Sequence, residues 1–476
     1  MKRIAFFPRR LACLVGLVGL CLSGSLITAG AVEAPGISPE LRKKVDHLVK
    51  DALASADVPS LTLAIVKDGQ VAYLQAYGEA SLSPQVAAKP AMRYCIGSVS
   101  KQFTAAVVLM LAEEGKLSLD DSVAKYLPGL TRAKEITIRQ VLSHTSGYQD
   151  YWPQDYVPPF MLQQVTPMQI LERWAGKPLD FEPGAEYQYS NTGFVIAGLI
   201  AEKASGQPLW TLLDERIFKP LGMRSVRNID QELLGQEDSV GYTRYALGPH
   251  HPAPKEGKGW LFAAGGIAMT AEDLAKWDIS IIRESLFKAG FYREFEREAL
   301  LNNGIGARYA LGVTVGKVAG HHAVAHNGEV SGFCARNLVF PEDKIAICAM
   351  VNQDASGAVT VVVDQIAALL LAPPPAEAAK LNRDREVLKE LQKGKLDRAL
   401  FTNNALSYFS DQARLDIENS LKPLGTLKSF SLTTQNDRGG MHFRAYRAVF
   451  AKKTVTVLLR ELPDGMIEQY QIDAGN

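Results

Sequence analysis

Two pairs of β-type runs, lying far apart in the chain, constrain this sequence more than any other feature. Residues 61–66 and 71–77 are rich in branched and aromatic side chains and flank Lys67, Asp68, Gly69 and Gln70. An Asp-Gly step between two such runs marks a hairpin. Residues 333–340 and 345–351 repeat the pattern around Pro341, Glu342, Asp343 and Lys344. Between the two pairs, apolar residues recur at helical spacing over 98–114, 138–143, 166–174, 191–204, 209–218 and 270–285. Strands at both ends with helices inserted imply one antiparallel sheet assembled from distant segments, with a helical lobe beside it. A helix is expected over 39–55, and an apolar helix over 358–371 is expected to pack on the sheet. The expected fold class is therefore α/β (α+β), with the main domain at 36–371.

Beyond that domain, Pro373, Pro374 and Pro375 interrupt the chain, and consecutive prolines favour a stiff extended spacer. A linker is placed at 372–380 and a small α+β accessory domain at 381–476. Its helices are expected over 381–392, 396–401 and 410–421, and its strands near 427–435, 441–450, 453–461 and 466–472.

The chain start differs in kind. Residues 1–31 carry Lys2, Arg3, Arg9 and Arg10 and no acid, then an uncharged apolar stretch over 11–27 and Ala29, Gly30 and Ala31. A basic start, an apolar run and a small-x-small end form an export signal. Ala34 offers a second cleavage point. The expectation is a cleaved signal peptide and a periplasmic or secreted protein with no membrane span after cleavage; the alternative is a retained anchor. The whole chain has 52 Lys+Arg and 51 Asp+Glu, and removing those four basic residues leaves 48 against 51. Such a balance lacks the basic excess of a nucleic-acid binder, so no nucleic acid is expected as partner. Of the five cysteines, Cys13 and Cys21 fall in the signal, and Cys95, Cys334 and Cys348 show no CxxC spacing. Buried free thiols are expected, with a Cys334–Cys348 pair as the alternative.

Three short clusters can carry chemistry: Ser98-Val99-Ser100-Lys101, Tyr189-Ser190-Asn191 and His326-Asn327-Gly328. Ser98 and Lys101 share one face at the start of a helix that is apolar nearly all round. A lysine at the buried end of such a helix resists protonation and can act as a base. A serine at a helix N-terminus lies beside free N–H groups that favour a developing oxyanion. Together they make an activated nucleophile with its proton acceptor.

The surroundings of these clusters resemble one family. The stretch from Cys95 to Ala105, the turn Leu142-Ser143-His144-Thr145-Ser146-Gly147 and Phe181-Glu182-Pro183-Gly184 ahead of Tyr189 come in its order. Ala264-Gly265-Gly266-Ile267-Ala268-Met269-Thr270 and His326-Asn327-Gly328 complete the set. The resemblance is to class C β-lactamase and penicillin-binding-protein-like serine hydrolases, which include D-aminopeptidases, DD-peptidases and family VIII esterases. It runs from roughly residue 40 to 370 and implies a serine β-lactamase-like fold. It implies Ser98 as the acylated nucleophile, Lys101 as its base and Tyr189 as a proton relay. Asn191 would orient Lys101 and a substrate carbonyl, and the N–H groups of Ser98 and Glu329 would form the oxyanion hole. Tyr189 beside a cationic lysine is expected to have a lowered pKa.

The third cluster bears on substrate. Penicillin-recognising relatives commonly have Lys-Thr-Gly there, whereas this chain has His326, Asn327 and Gly328, followed by Glu329. His326, Gly328 and Glu329 are expected to contact substrate with Asn191. A neutral histidine removes a fixed cation, and a carboxylate at Glu329 would repel anions and hold a free amine. The reading is an exported serine hydrolase acting on an amide or ester of a small-molecule or peptide substrate, more peptidase or esterase than β-lactamase. The alternatives are a β-lactamase or DD-carboxypeptidase, and a binding protein that kept the fold without catalysis. No metal and no cofactor are expected. His250-His251 and His321-His322 lack carboxylate-supported spacing, and no G-x-S-x-G occurs. His144 is expected to serve a turn, and Tyr148, Tyr151 and Trp152 to line the cleft or pack the lobe.

Overall fold

Strands from the two ends of the main domain pair with each other. The computed structural model describes residues 36–372 and 375–474, so the expected signal at 1–31 lies outside the described residues. The hairpin strands are β1 (Ser60–Lys67) and β2 (Gln70–Leu82), extended by the short β3 (Gln85–Ala87). The distant strands are β4 (Thr314–Val318), β5 (His321–Val330), β6 (Phe333–Phe340) and β7 (Ile345–Val351). They form one sheet in the order β3-β2-β1-β7-β6-β5-β4. Its central seam joins β1 to β7 antiparallel, with Leu61 opposite Val351 and Ile65 opposite Ile347. Both strands are apolar on successive residues because both faces of the sheet are covered.

Helix α1 (Pro39–Ala56) and helix α5 (Ala358–Leu370) bury Val45, Val49, Val362 and Ile366 against one face. The other face carries α4 (Ala271–Ile282), which rests on β1 and β7, and beyond it the helical lobe. Central to that lobe are α2 (Ser100–Glu113) and α3 (Asn191–Ser205), packed together. Every residue of α2 from Ser100 to Leu111 is buried. Each buried Leu, Val or Phe in it contributes about 1.5–3 kcal/mol, which anchors the end that carries Ser98. The three described cysteines are free and buried. Cys334 belongs to the α1/α5 face and Cys348 to the lobe face, so the sheet itself keeps them apart.

A buried polar chain locks α2 to β6 and α4. Gln102 Nε2 donates to Asn337 Oδ1 (2.7 Å), Trp277 Nε1 donates to Gln102 Oε1 (2.8 Å), and Asn337 Nδ2 donates to Asp278 Oδ1 (2.9 Å). Asp278 is fully buried and its Oδ2 has no partner.

The C-terminal part has its own core. Helix α6 begins at Pro375 rather than at 381 (Pro375–Leu391), so 375–380 are helix and not spacer. A proline in the first turn of a helix sacrifices no intrahelical bond, which allows the earlier start. Strands β8 (Leu427–Arg438), β9 (Met441–Phe450), β10 (Thr454–Glu461) and β11 (Ile467–Asp473) form a meander in that order. Tyr446, Ala448, Val457 and Leu459 bury one face of it with Leu388 and Leu391 of α6. At its polar end the buried Asp384 accepts the Tyr446 O–H (2.6 Å), and Arg444 pairs with Glu461 (2.9 Å).

Burial pushes Asp278 up to about 7, against the hydrogen bond from Asn337. A carboxyl raised in the folded state holds a proton that the unfolded chain releases above about 3.9. Its contribution therefore falls away as pH rises from about 4 to 7. Asp278→Asn should match the wild type at pH ~4 and exceed it by roughly 1–3 kcal/mol at pH ~8. Urea unfolding at the two pH values checks this, and an identical pH dependence in both proteins contradicts it.

Candidate active site

Ser98 sits in a 3-10 turn (Gly97–Val99) that runs directly into α2. Lys101, three residues on, is fully buried, and its Nζ lies 3.0 Å from Ser98 Oγ. The same nitrogen donates to Asn191 Oδ1 (2.7 Å) and to the Ala264 carbonyl (2.8 Å). Both of those partners can only accept. A neutral amine therefore spends its two N–H bonds on them and turns its lone pair to Ser98. Burial lowers Lys101 to about 7, opposed by the charge of Asp150. A base with that pKa suits neutral solution.

Asn191 opens α3, and Asp150 holds it twice. Its backbone N–H donates to Asp150 Oδ1 (3.0 Å) and its Nδ2 donates to Asp150 Oδ2 (3.1 Å). That fixes the amide with Oδ1 toward Lys101. Burial raises Asp150 to about 6 against backbone N–H groups and the lysine charge.

Tyr189 differs from expectation. Burial raises its pKa, with the Ser98 hydroxyl opposing and the nearby Tyr187 and Asp150 adding to the rise. Its hydroxyl is buried without a well-formed hydrogen bond, and Lys101 Nζ lies 4.9 Å from its ring centre. A neutral phenol in this position can donate a proton and retrieve it. His144 supports the ring, with centroids 4.2 Å apart, and its Nδ1 accepts the Ser190 N–H (3.1 Å).

Alternation along β5 sorts the third cluster. His326, Gly328 and Val330 are buried, whereas Asn327 and Glu329 are exposed on the other side. The expected substrate contact through the Glu329 side chain is therefore corrected: its Oε1 accepts the Ala355 N–H (2.9 Å). The His326 ring is held from both sides. Its Nδ1 faces the Asn327 carbonyl, which requires an N–H there, so Nε2 accepts from Tyr309 Oη (2.8 Å). Both ring nitrogens are engaged within the protein. Burial and the lysine charge lower His326 to about 3, so it is neutral.

Gly328 acts by what it lacks. A Cβ there would lie 1.9 Å from the Ile96 carbonyl oxygen and 3.2 Å from Ser98 N. Gly97, at φ +50°, faces the same seam, where a Cβ would lie 2.6 Å from Glu329 N. Two glycines thus let the backbone carrying the Glu329 amide press against the one carrying the Ser98 amide. Tyr148 packs the lobe through Thr131, and Tyr151 donates to the Trp260 carbonyl (2.8 Å), while Trp152 is exposed.

Ser98, Lys101, Tyr189 and Asn191 therefore converge, with the Gly328–Glu329 backbone beside them. Sequence reasoning missed Asp150 and Tyr309. Asp150 follows the His-Thr-Ser-Gly turn by three residues, a spacing that places it beside Asn191; Tyr309 carries no local signal.

The sequence profile of the Beta-lactamase family matches residues 45–372. This chain belongs to the beta-lactamase family. It is 30% identical over 330 residues to a D-aminopeptidase of Brucella anthropi, covering 68% of this chain and 62% of that one. It is 27% identical over 328 residues to the protein flp of Staphylococcus aureus, covering 66% of this chain and 64% of that one. The chain thus spans 62% of the length of the D-aminopeptidase. Among solved folds, a D-stereospecific amidohydrolase from Streptomyces superposes with a TM-score of 0.59 at 27% identity, covering 67% of this chain and 97% of that one. An octameric penicillin-binding protein homologue from Pyrococcus abyssi shares the fold with a TM-score of 0.64 at 22% identity. It covers 88% of this chain and 90% of its own, more than the beta-lactamase segment alone.

Because Asp150 props up the lysine charge, Asp150→Asn should move the pH midpoint of acylation below about 7. It should also lower kcat/KM about ten- to hundredfold through misplacement of Asn191. Stopped-flow acylation across pH tests both; an unmoved midpoint contradicts the role of Asp150.

Proposed function

We propose that this protein is an exported serine hydrolase that cleaves an amide or ester through an acyl-enzyme at Ser98. The single observation that carries the reading is the buried Lys101 nitrogen, with two acceptors on one side and Ser98 Oγ at 3.0 Å on the other. Neutral Lys101 takes the Ser98 proton as Oγ attacks the substrate carbonyl. The developing oxyanion lies against the Ser98 and Glu329 amides. The proton then returns from Lys101 to the leaving group, relayed by the neutral Tyr189 phenol. Water hydrolyses the ester of Ser98 by the reverse relay.

Peptidase or amidase activity is favoured over penicillinase activity. His326 is neutral and fully engaged, so the third cluster presents no cation for a substrate carboxylate. The D-aminopeptidase among the relatives points to amide bonds and to small-molecule or peptide substrates. Export rests on the composition of residues 1–31.

A fluorophosphonate should add its phosphonyl mass to Ser98, and Lys101→Ala should slow that labelling by roughly 10²–10⁴-fold. Intact-mass and peptide mass spectrometry read both. Folded wild-type protein left unlabelled overturns the hydrolase reading, and rapid labelling of the variant removes Lys101 from its role. For export, protein recovered from the periplasm should begin at Val32 or Pro35, as N-terminal sequencing will tell; an intact leader refutes cleavage.

A further inference from the structure

The carboxylate expected at Glu329 is absent from the cleft, but another stands at the acyl end. Tyr189 relays the proton to the leaving group, and its ring lies 6.1 Å from the His326 ring. The leaving group therefore occupies the His326 end of β5, and the acyl portion extends toward Val330 and Ser331. Glu256 closes that end. Its Oε1 accepts the Ser331 N–H (2.8 Å) and the Tyr156 O–H. Tyr156, Tyr151 and Trp260 form one aromatic wall, with Tyr151 5.6 Å from Trp260 and 6.2 Å from Tyr156. Tyr151 in turn follows Asp150 and donates its N–H to Thr192 (3.2 Å), beside Asn191. Wall, carboxylate and strand thus meet at the Val330–Ser331 end of β5, and Tyr151 ties the wall to the start of α3 that carries Asn191.

Glu256 has no ion-pair partner among the described residues. The adjacent Lys255 turns instead to the Phe333 ring, 5.3 Å from its centre. Both hydrogen bonds to Glu256 go to Oε1, and neither reaches Oε2. A partly buried carboxylate without a paired cation is costly, and burial raises the Glu256 pKa against its hydrogen bonds and the charge of Lys255. A bound ammonium supplies the missing charge through a charge-assisted hydrogen bond. We propose that Glu256 is the specificity-determining carboxylate of the acyl subsite and that the preferred substrate carries a protonated amine on its acyl portion. This rests on the Ser98 hydrolase reading.

The test uses aminoacyl p-nitroanilides with the amine on the α-, β- or γ-carbon, each paired with its N-acetylated form, on the full-length mature protein. For at least one amine position the wild type should prefer the free amine by about tenfold or more in kcat/KM. Glu256→Gln keeps an oxygen to accept from Ser331 and Tyr156 but loses the charge. It should reduce that preference about tenfold while leaving the acetylated substrate nearly unchanged. Should Glu256→Gln not fold, Glu256→Asp, which retracts the charge by one methylene, must lower the preference in the same sense. A wild-type preference of one or less at every amine position overturns the inference, as does an equal loss on both substrates in the variant. Absence of turnover on all pairs by a protein whose Ser98 takes the phosphonate also overturns it and leaves the hydrolase reading intact. Failure of the phosphonate adduct removes both.

Discussion

The burial of one amine governs this molecule. Lys101 Nζ sits between Asn191 Oδ1, Ala264 O and Ser98 Oγ, out of reach of water. A charged ammonium in such a place loses its hydration, so the site favours the free base. That condition requires α2 to be buried on every side, which requires a lobe large enough to enclose it and a sheet to stand on. The sheet exists only because β1 pairs with β7, nearly 300 residues later by the register of Leu61 and Val351. Each supporting contact arrives from a different stretch: Asn191 from α3, Ala264 from the Ala-Gly-Gly turn, and Asp150 from the loop after the His-Thr-Ser-Gly turn. Local folding errors at any of these points would hydrate Lys101 and restore its ordinary basicity.

Strand periodicity decides what the cleft offers a substrate. On β5 a step of one residue separates the buried His326 from the exposed Asn327, and likewise Gly328 from Glu329. The result is a neutral leaving-group end, closed by the Tyr309–His326 hydrogen bond, and an acyl end with the unpaired carboxylate of Glu256. Charge in the cleft is thus arranged along the substrate axis: the amine base at its centre, neutral aromatic and imidazole groups at one end, an acid at the other.

Much of this was legible in the sequence, and the failures have physical causes. The seam strands and α2 were visible because burial on both faces leaves long apolar runs, and the Ser98–Lys101 spacing follows from helix geometry alone. Strands β4 and β5 were not visible: Gly316, Ala319, Gly320, three histidines, Asn327 and Gly328 give 314–330 little intrinsic strand preference. Tertiary pairing with β6 imposes it. The sign of the Tyr189 shift was missed because desolvation of the fully enclosed phenol, opposed only by the Ser98 hydroxyl, is set by tertiary packing. Glu329 was misread because residue identity does not tell which side of a strand a side chain takes; Glu256 lies in a loop whose approach to Ser331 no local pattern reports.

The central claim is that resting Lys101 is a free base near neutrality. The most direct measurement follows the ¹³Cε resonances of lysine-labelled wild-type protein from pH ~5 to ~10, with Lys101 assigned by its loss in Lys101→Arg. The account predicts one resonance titrating near 7, well apart from the ordinary lysines near ~10.4. A Lys101 resonance that titrates with the others would contradict it.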